Sequence, residues 1–283
     1  MVTLNLRTKC SGFSLVELSV VLVLIALVIG GTMAGLSLKH NAELKSVPTE
    51  VERLKELIAT FNQRYDGLPG DLYNATSLWG AADADHNTCI ATASTGKPTC
   101  NGDGNGWVTT PGTGSTYYEA HRFWQHLSNA GLISSSYTGQ RLAAGEDVTC
   151  LPEHHCGMAT FRNGLFYAAT VNDDTGYFNA STYPPALELF DGDKGNSILF
   201  FRRMVSGATG AHVGSPVLTI EEAYNIDLKF DDGKPSTGAI QTFEPIDAEY
   251  LTTYCASSDV GATAEYALWV NDIHCALIFT HAF

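Results

Sequence analysis

The chain of 283 residues contains 30 acidic and 16 basic side chains, which gives a formal net charge of -14 at pH 7. Binding to nucleic acids depends on Lys and Arg side chains that neutralise phosphates, so this charge argues against a nucleic-acid partner. The length suits one large domain, and the sequence shows no internal repeat.

An apolar segment near the N-terminus, from Phe13 to Leu38, carries a single ionisable side chain, that of Glu17. About 20 apolar residues are enough to cross a bilayer as a helix, so we expect a membrane span over residues 13–38. A carboxylate inside hydrocarbon costs roughly 2.5–3.5 kcal/mol, which indicates that Glu17 has a functional partner.

The residues before this segment contain Arg7 and Lys9 and no acid. Positive charge on this side predicts that the N-terminus stays in the cytoplasm and that the rest of the chain faces outward. A secretory signal would carry its small residues and cleavage site after the apolar segment. Here the small residue, Gly12, comes before it.

The segment GFSLVELSVVLVLIALVIGG resembles the N-terminal cleavage and methylation segment of type IV prepilins and type II secretion pseudopilins. The resemblance implies that a prepilin peptidase cuts between Gly12 and Phe13 and methylates the new terminal amine of Phe13. It also implies that Glu17 meets the terminal ammonium of a neighbouring subunit, which would relieve two costly burials and fix the axial register. A plain uncleaved anchor that contains a glutamate is the alternative.

The same resemblance implies the partners and the location of the protein. The expected partners are other pilin or pseudopilin subunits, prepilin peptidase and an assembly platform in the inner membrane. We expect a single-pass protein of a Gram-negative inner membrane, with a periplasmic head, that later enters a filament in the periplasm or at the cell surface. Blocks such as GLPGDLYNAT and NIDLKFDDGKPSTG resemble large minor-pilin-like proteins rather than small major pilins.

The segment after the membrane span reads as an amphipathic helix. Its apolar residues recur at spacings of three and four: Val51, Leu54, Leu57, Ile58, Phe61 and Tyr65. This period predicts one buried helical face, and Pro48 either restarts or kinks the helix. The expected organisation is a leader over 1–12, a membrane and filament-core helix over 13–38, the amphipathic half of the helix over 39–66, and a head over 67–283.

The head is predicted to combine helices with an antiparallel sheet. One helix is expected over Tyr117–Leu132, and a capping box of Thr219 and Glu222 opens a short helix that Gly233 would close. Runs rich in β-branched or aromatic residues and bounded by turn formers predict strands at Leu165–Val171, Leu187–Phe190, Ser197–Val205, Ala239–Phe243, Tyr266–Val270 and Cys275–His281. A long helix on an antiparallel sheet gives an α+β, pilin-like fold.

Six cysteines remain once Cys10 leaves with the leader, and an even number in an exported domain predicts disulfides. Of the possible pairings we favour the sequential one, because each bridge closes a short local loop: Cys89–Cys100, Cys150–Cys156 and Cys255–Cys275. The alternative for one group is a zinc site at Cys150, His154, His155 and Cys156.

The sequence NGDGNGW, from Asn101 to Trp107, resembles the first half of a calcium-binding loop. Oxygen ligands alternate along it, and a glycine stands at the sixth position, whereas the twelfth position is Gly112 instead of a glutamate. The candidate Ca²⁺ ligands are Asp83, Asp85, Asn101, Asp103, Asn105 and the backbone carbonyl of Trp107. A polar glycine-rich turn without a metal is the alternative, and no other cofactor is predicted.

Catalytic motifs are absent from the sequence, which contains no nucleophile elbow, Walker loop or HExxH motif. Asp227 and Asp231 share one face of the short helix, either as a carboxylate pair of an enzyme or, as we favour, as a solvated face or part of a helix-end network. We therefore predict a structural subunit of a type IV pilus or type II secretion pseudopilus, and no enzyme. The alternative is a low-copy minor pilin whose head is an adhesin or a ligand-binding module.

Overall fold

The computed structural model describes residues 14–85, 89, 96–109, 119–140, 150, 152, 154–171, 187–188, 190, 192–202, 215–245, 255–258 and 261–283. The chain divides into two compact units, one that ends at Glu43 and a larger one that runs from Leu44 to Phe283. The predicted cleavage site between Gly12 and Phe13 lies outside the described residues.

Helix α1 runs from Leu15 to Tyr65 and continues through Pro48, so the proline does not restart it. Within the larger unit, α1 buries one face in the core. The buried apolar residues of this face are Leu44, Val47, Val51, Leu54, Ile58 and Phe61. Their spacing of three and four residues confirms the amphipathic helix predicted from the sequence.

Within the described residues, the larger unit contains three further α-helices: α2 at Ala75–Trp79, α3 at Glu119–Asn129 and α4 at Ile220–Phe230. Helix α4 begins with the predicted capping box. The backbone amide of Glu222 donates to Oγ1 of Thr219 at 3.2 Å, and the amide of Thr219 donates to Oε2 of Glu222 at 2.8 Å. Both amides would otherwise lack an intrahelical acceptor, so the box fixes where α4 starts.

One antiparallel sheet is formed by seven strands in the part of the chain that the structure describes: β1 Gly157–Met158, β2 Leu165–Val171, β3 Leu187–Glu188, β4 Gly195–Phe201, β5 Leu218–Thr219, β6 Ile240–Pro245 and β7 Ile273–Phe279. The order across the sheet is β1-β2-β4-β7-β6-β3, and β5 also pairs with β7. Leu165 of β2 lies opposite Phe201 of β4, and Ile198 of β4 lies opposite Phe279 of β7. The sheet and α1 confirm the predicted α+β, pilin-like fold.

The central strands are buried along nearly their whole length, including every residue of β2. Successive side chains of a strand point to opposite faces of a sheet, so burial of consecutive residues means that both faces are covered. The sheet therefore forms the middle layer of the larger unit.

The strand predicted at Tyr266–Val270 is wrong. Tyr266 forms only an isolated bridge with Ala256, and the chain then turns tightly, since the amide of Leu268 donates to the carbonyl of Tyr266 at 2.8 Å. The amide of Val270 bonds in the same way to the carbonyl of Ala267 at 3.0 Å. These local bonds use the backbone groups that a strand would offer to a neighbour.

Candidate functional site

Helix α1 begins with a polar cap that contains Glu17. The backbone amide of Ser14 donates to Oε2 of Glu17 at 3.1 Å, and the amide of Val16 donates to the hydroxyl of Ser14 at 3.3 Å. A serine followed three residues later by a glutamate is the usual sequence of a capping box. The carboxylate of Glu17 therefore lies beside the residue that directly follows Phe13 in the chain.

The part of α1 that follows this cap presents apolar side chains on all sides. Leu15, Val20, Leu24 and Ile29 are each about half exposed or more. Within the described residues, α1 is long and apolar enough to cross a membrane, judged by length and composition, and its most apolar window contains no buried residue. An apolar surface of this extent is stable only in lipid or against other apolar helices.

In the larger unit, the NGDGNGW loop is held by the buried carboxylate of Asp71. Oδ1 of Asp71 accepts hydrogen bonds from the backbone amides of Gly104 at 2.7 Å and Asn105 at 3.1 Å, and Oδ2 accepts one from the amide of Gly106 at 2.8 Å. The loop thus turns its amides, which carry partial positive charge, towards the acid.

A second buried acid, Glu119 at the start of α3, binds the same loop at Asp103 and the chain just after it at Thr109. It accepts hydrogen bonds from the amide of Asp103 at 2.9 Å and from the amide and hydroxyl of Thr109 at 2.8 and 2.7 Å. Burial raises the pKa of Glu119 to about 8 and the pKa of Asp71 to about 6. The two carboxyl groups interact with each other, so they lose their protons as a coupled pair and not as independent acids.

Close backbone contact explains one glycine of this loop. A Cβ atom at Gly102 would lie 2.4 Å from the Cα atom of Asp71. Only glycine leaves room for that approach, which brings the loop amides within reach of the Asp71 carboxylate.

The structure brings one of the three predicted acidic Ca²⁺ ligands into a group of carboxylates. Asp71, Asp103 and Glu119 each offer one oxygen, and these oxygens lie within 4.8 Å of one another. Asp83 and Asp85 are not members of this group; Oδ1 of Asp83 instead accepts the amide of Asp85 at 3.0 Å.

The remaining predicted ligands have other contacts. Oδ1 of Asn101 accepts the amide of Thr76 at 2.8 Å, and Oδ1 of Asn105 accepts the amide of Trp107 at 2.8 Å. Calcium takes six to eight oxygen ligands, whereas this loop directs amides towards its two buried acids. The contacts of the described residues therefore fit a polar glycine-rich turn without a metal better than they fit the predicted Ca²⁺ site.

Sequence reasoning missed Asp71 and Glu119 as members of this site. Asp71 comes directly after the helix-breaking residues Gly67 to Gly70, and Glu119 lies at the start of a helix, where an acid is ordinary. They are 48 residues apart in the chain, so no local spacing indicates that they meet.

Helix α3 also carries a buried basic residue that holds the neighbouring loops. Arg122 donates to the backbone carbonyls of Cys89 at 2.6 Å and Thr138 at 3.1 Å, and to Oε1 of Gln125 at 3.0 Å. Burial lowers the pKa of Arg122 to about 10. The guanidinium is still charged at neutral pH, and its hydrogen bonds replace the water that it loses.

His126 of α3 is a structural residue rather than an acid or a base. Its Nδ1 accepts the backbone amide of Gly70 at 2.9 Å, and its Nε2 lies 3.0 Å from Oγ1 of Thr99. Burial, together with the charge of Arg122, lowers the pKa of His126 to about 3. The imidazole is therefore neutral and links the loop after α1, at Gly70, to the segment before the NGDGNGW loop, at Thr99.

The second acidic group lies at the end of α4. Asp227 is fully buried and accepts hydrogen bonds from the hydroxyl of Tyr266 at 2.7 Å and the amide of Gly233 at 3.1 Å. Oδ2 of Asp231 accepts the amide of Ile240 at 2.8 Å. Burial raises the pKa of Asp227 to about 7. The hydrogen bonds of the two aspartates correspond to a network at the helix end rather than to a catalytic pair.

The structure contains three disulfides: Cys89–Cys100, Cys150–Cys156 and Cys255–Cys275. This is the sequential pairing favoured by the sequence. Because zinc binds thiolates, the bridge between Cys150 and Cys156 removes both sulfur ligands of the alternative zinc site. His154 instead contacts the hydroxyl of Thr138 through Nδ1 at 2.9 Å.

The fold defines an α+β protein of pilin-like architecture, and its N-terminal helix is long and apolar enough to cross a membrane. Residues 7–33 match the family model described as the prokaryotic N-terminal methylation motif. This match supports a type IV prepilin-like protein, and the motif belongs to structural pilin-type proteins rather than to an enzyme family. Neither a curated protein nor a solved structure matches the chain.

Proposed function

We propose that the protein is a structural subunit that prepilin peptidase cleaves between Gly12 and Phe13 and that then assembles into a type IV pilus or a type II secretion pseudopilus. The observation that carries this proposal is the methylation motif at residues 7–33, placed directly on an uninterrupted apolar helix. Before assembly the helix anchors the subunit in the inner membrane, with the head in the periplasm and the assembly platform as a further partner.

Glu17 is the assembly residue in this proposal. Its carboxylate already accepts the amide of Ser14, the first residue after Phe13. Cleavage would create an ammonium group on Phe13, so the carboxylate and the new cation would lie near the same helix start. In a filament core of low dielectric constant, a carboxylate and an ammonium group from neighbouring subunits would neutralise each other and set the axial register.

Mass spectrometry of the protein extracted from cells tests the processing step. We expect a chain that begins at Phe13 and carries one N-terminal methyl group. Recovery of only the intact starting methionine would overturn the proposal, and the plain-anchor alternative would replace it.

Two substitutions at Glu17 separate its capping contact from its charge. Glu17→Gln keeps an oxygen that can accept the amide of Ser14 but removes the negative charge, whereas Glu17→Ala removes both. We expect both variants to be cleaved and both to give little sheared filament. Wild-type filament yield from Glu17→Gln would show that the residue serves as a helix cap, and it would contradict the ion pair.

A groove in the larger unit favours a second candidate function, a minor pilin whose head binds a ligand. The groove measures about 580 Å³, within the range of ligand sites, and is lined by α1, α3 and residues 131–137. Arg53 lines it, is exposed, and makes no hydrogen bond or ion pair within the part of the chain that the structure describes. The groove thus combines an exposed guanidinium with the aromatic residues Trp124 and Tyr137, which suits an anionic, ring-containing ligand.

Surface attachment distinguishes the two candidates. Cells that express Arg53→Glu should assemble normal amounts of filament but lose attachment if the head is the adhesin. Lys55→Glu is a matched control, because Lys55 lies on the same helix and is not among the groove residues. Unchanged attachment of Arg53→Glu cells would leave the structural subunit as the sole proposal.

A further inference from the structure

A tight turn in the larger unit exposes two large apolar side chains. Trp269 is 74% exposed and Leu268 is 50% exposed, and both lie in the tryptophan turn, residues 266–272. Trp269 is the most exposed of the four tryptophans of the chain. A large aromatic side chain gains most when a partner takes it out of water, and tryptophan is enriched among the residues that dominate binding energy at interfaces.

The base of the tryptophan turn is held in place by the rest of the head. The Cys255–Cys275 disulfide closes the loop that contains the turn, and the amide of Ala267 donates to the carbonyl of Cys255 at 3.0 Å. The hydroxyl of Tyr266 donates to Asp227 at 2.7 Å. A group that already has one conformation loses little entropy when it binds, so the turn is suited to insert its indole into a partner.

The tryptophan turn lies in an acidic part of the chain. Residues 235–283 contain six acidic residues and neither Lys nor Arg. The side chain of Asp272 is 68% exposed, and its Oδ2 lies 3.9 Å from Nε2 of His274, which is charged only when protonated. Oδ1 of Asp272 accepts the amide of Ile273 at 2.7 Å, and this hydrogen bond leaves the carboxylate charged. The turn therefore presents an indole and a carboxylate three residues apart.

The groove of about 580 Å³ beside α1 offers an apolar surface for these side chains. Its partly or largely exposed apolar residues are Leu57, Leu132, Ile133 and Met158. The volume lies within the range of sites for small ligands, which leaves room for the indole of Trp269 with Leu268 beside it. No residue of the tryptophan turn lines the groove, so one subunit can offer both surfaces at once.

Charged groups of the groove decide how an acidic turn can enter it. Arg53 lines the groove and makes no hydrogen bond or ion pair within the described residues. Arg64 adds a cation next to it, since this side chain donates to the carbonyl of Ala130, directly before groove residues 131–137, at 2.9 Å. Glu50 also lines the groove and repels a carboxylate. An acidic turn is therefore attracted on the side of Arg53.

A contact between two different surfaces of one chain can be repeated from subunit to subunit. A subunit that inserts its turn into one neighbour keeps its own groove open for the next. Such head-to-tail contacts give a ring when the rotation closes and a helical filament when it does not. A pair of different, complementary surfaces on the same head is thus what a filament subunit needs.

We propose that the tryptophan turn of one subunit inserts into the groove of a second copy of the chain, and that this contact joins neighbouring heads in the filament. Trp269 and Leu268 pack on the apolar lining, and Asp272 pairs with Arg53. Three residues span at most about 11 Å, so the carboxylate stays near the groove that the indole enters. The inference rests on the proposed structural subunit, and it assigns the groove to a neighbouring subunit instead of a small ligand.

Photo-crosslinking in assembled filaments tests this contact. A benzophenone amino acid replaces Trp269 in one protein and Tyr73 in a matched control, since Tyr73 is aromatic, 62% exposed, in the same unit and outside the groove. Sheared filaments are irradiated, and crosslinked peptides are identified by mass spectrometry. We expect position 269 to crosslink to peptides that contain Leu57, residues 131–137 or Met158, in a ladder of dimers, trimers and longer species. Position 73 should give no crosslink to the groove.

Charge reversal provides the second measurement. Arg53→Glu should lower the yield of groove crosslinks from position 269 about fivefold, because it sets two acids against each other. The double variant Arg53→Glu, Asp272→Arg exchanges the signs of the pair and should restore the yield, which also shows that the substituted chain folds. Lys55→Glu, on the same helix and outside the groove lining, should leave the yield unchanged.

Four results would overturn the contact: no crosslink from position 269 to the groove, dimers as the sole product, crosslinks to another protein, or no recovery in the double variant. Analysis of the filament fraction separates this failure from failure of the proposed function. A chain that begins at Phe13 and enters filaments without the groove crosslink keeps its structural role and loses this contact. A chain that never enters filaments has no structural role there, and both proposals then fail.

Discussion

The hydroxyl of Tyr266 donates a hydrogen bond of 2.7 Å to Oδ2 of Asp227, and both residues are buried. Tyr266 lies in the loop that the Cys255–Cys275 disulfide closes, whereas Asp227 lies in the last turns of α4. This single contact joins the end of α4 to a turn that the sequence predicts as a strand.

Replacement of Tyr266 by phenylalanine should destabilise the protein. The variant keeps the ring but leaves Asp227 with one hydrogen-bond donor fewer in a buried position, which costs about 1–3 kcal/mol. Denaturation in urea measures the loss. Tyr73→Phe is the control, because Tyr73 is 62% exposed, and a loss as large as that of Tyr266→Phe would contradict the explanation.

The free energy of unfolding should decrease as the pH rises from about 6.5 to about 8.5. A carboxyl group whose pKa is higher in the folded protein binds its proton more tightly there, so the stability it contributes is lost as the pH rises through the folded pKa. Burial raises the pKa of Asp227 to about 7 and of Glu119 to about 8. His126 acts in the opposite direction, but only at lower pH, because its pKa falls from 6.5 to about 3 on folding.

Urea denaturation at several pH values measures this slope. Glu119→Gln cannot lose a proton in this range, so its slope should be smaller than that of the wild type. Glu56→Gln, at an exposed position on α1, should behave as the wild type. A slope that Glu119→Gln leaves unchanged would show that Glu119 is already ionised at neutral pH.

The ion pair of Arg162 and Glu222 should contribute measurably to stability. Arg162 donates two hydrogen bonds of 2.7 Å to the Glu222 carboxylate, which also caps α4. Arg162→Ala should cost about 1–3 kcal/mol, and Arg162→Lys should recover little of it, because lysine cannot form the paired bonds. Lys55→Ala, which breaks an exposed pair with Glu52, should cost less than about 1 kcal/mol. Equal costs for the two alanine variants would contradict this difference.

The calcium hypothesis can be tested through its competition with a proton. Binding at Asp71, Asp103 and Glu119 would require Glu119 to be ionised, so the hypothesis predicts tighter Ca²⁺ binding at pH 9 than at pH 6 and weaker binding after Asp103→Ala. Isothermal titration calorimetry measures both. If Ca²⁺ gives no heat at pH 9, the site is a polar turn held by its two buried acids.

Local patterns in the sequence predict much of the fold. The buried face of α1, the capping box of Thr219 and Glu222, and most of the strands depend on residues within a few positions of one another. Such patterns determine a helix face or a helix start directly. The N-terminal motif is likewise a continuous segment, and it matches at residues 7–33.

Contacts between distant segments explain what the sequence does not predict. Asp71 and Glu119 become one site only because the fold buries both against the NGDGNGW loop. The segment from Tyr266 to Val270 has strand-forming residues, but its amides bond within the segment and the hydroxyl of Tyr266 is taken by Asp227. The strand propensity of an amino acid reflects how well its side chain packs on a pleated sheet. It does not indicate whether a neighbouring strand is available to pair with its backbone.

The division of α1 between the two units decides where the chain can be shortened for solution work. A fragment that starts at Leu44 keeps the helix face that fills the core, including Val47 and Phe61. A fragment that starts at residue 67, where the sequence alone places the head, would leave that part of the core open to water. We expect the first fragment to yield a soluble monomer and the second to aggregate during expression.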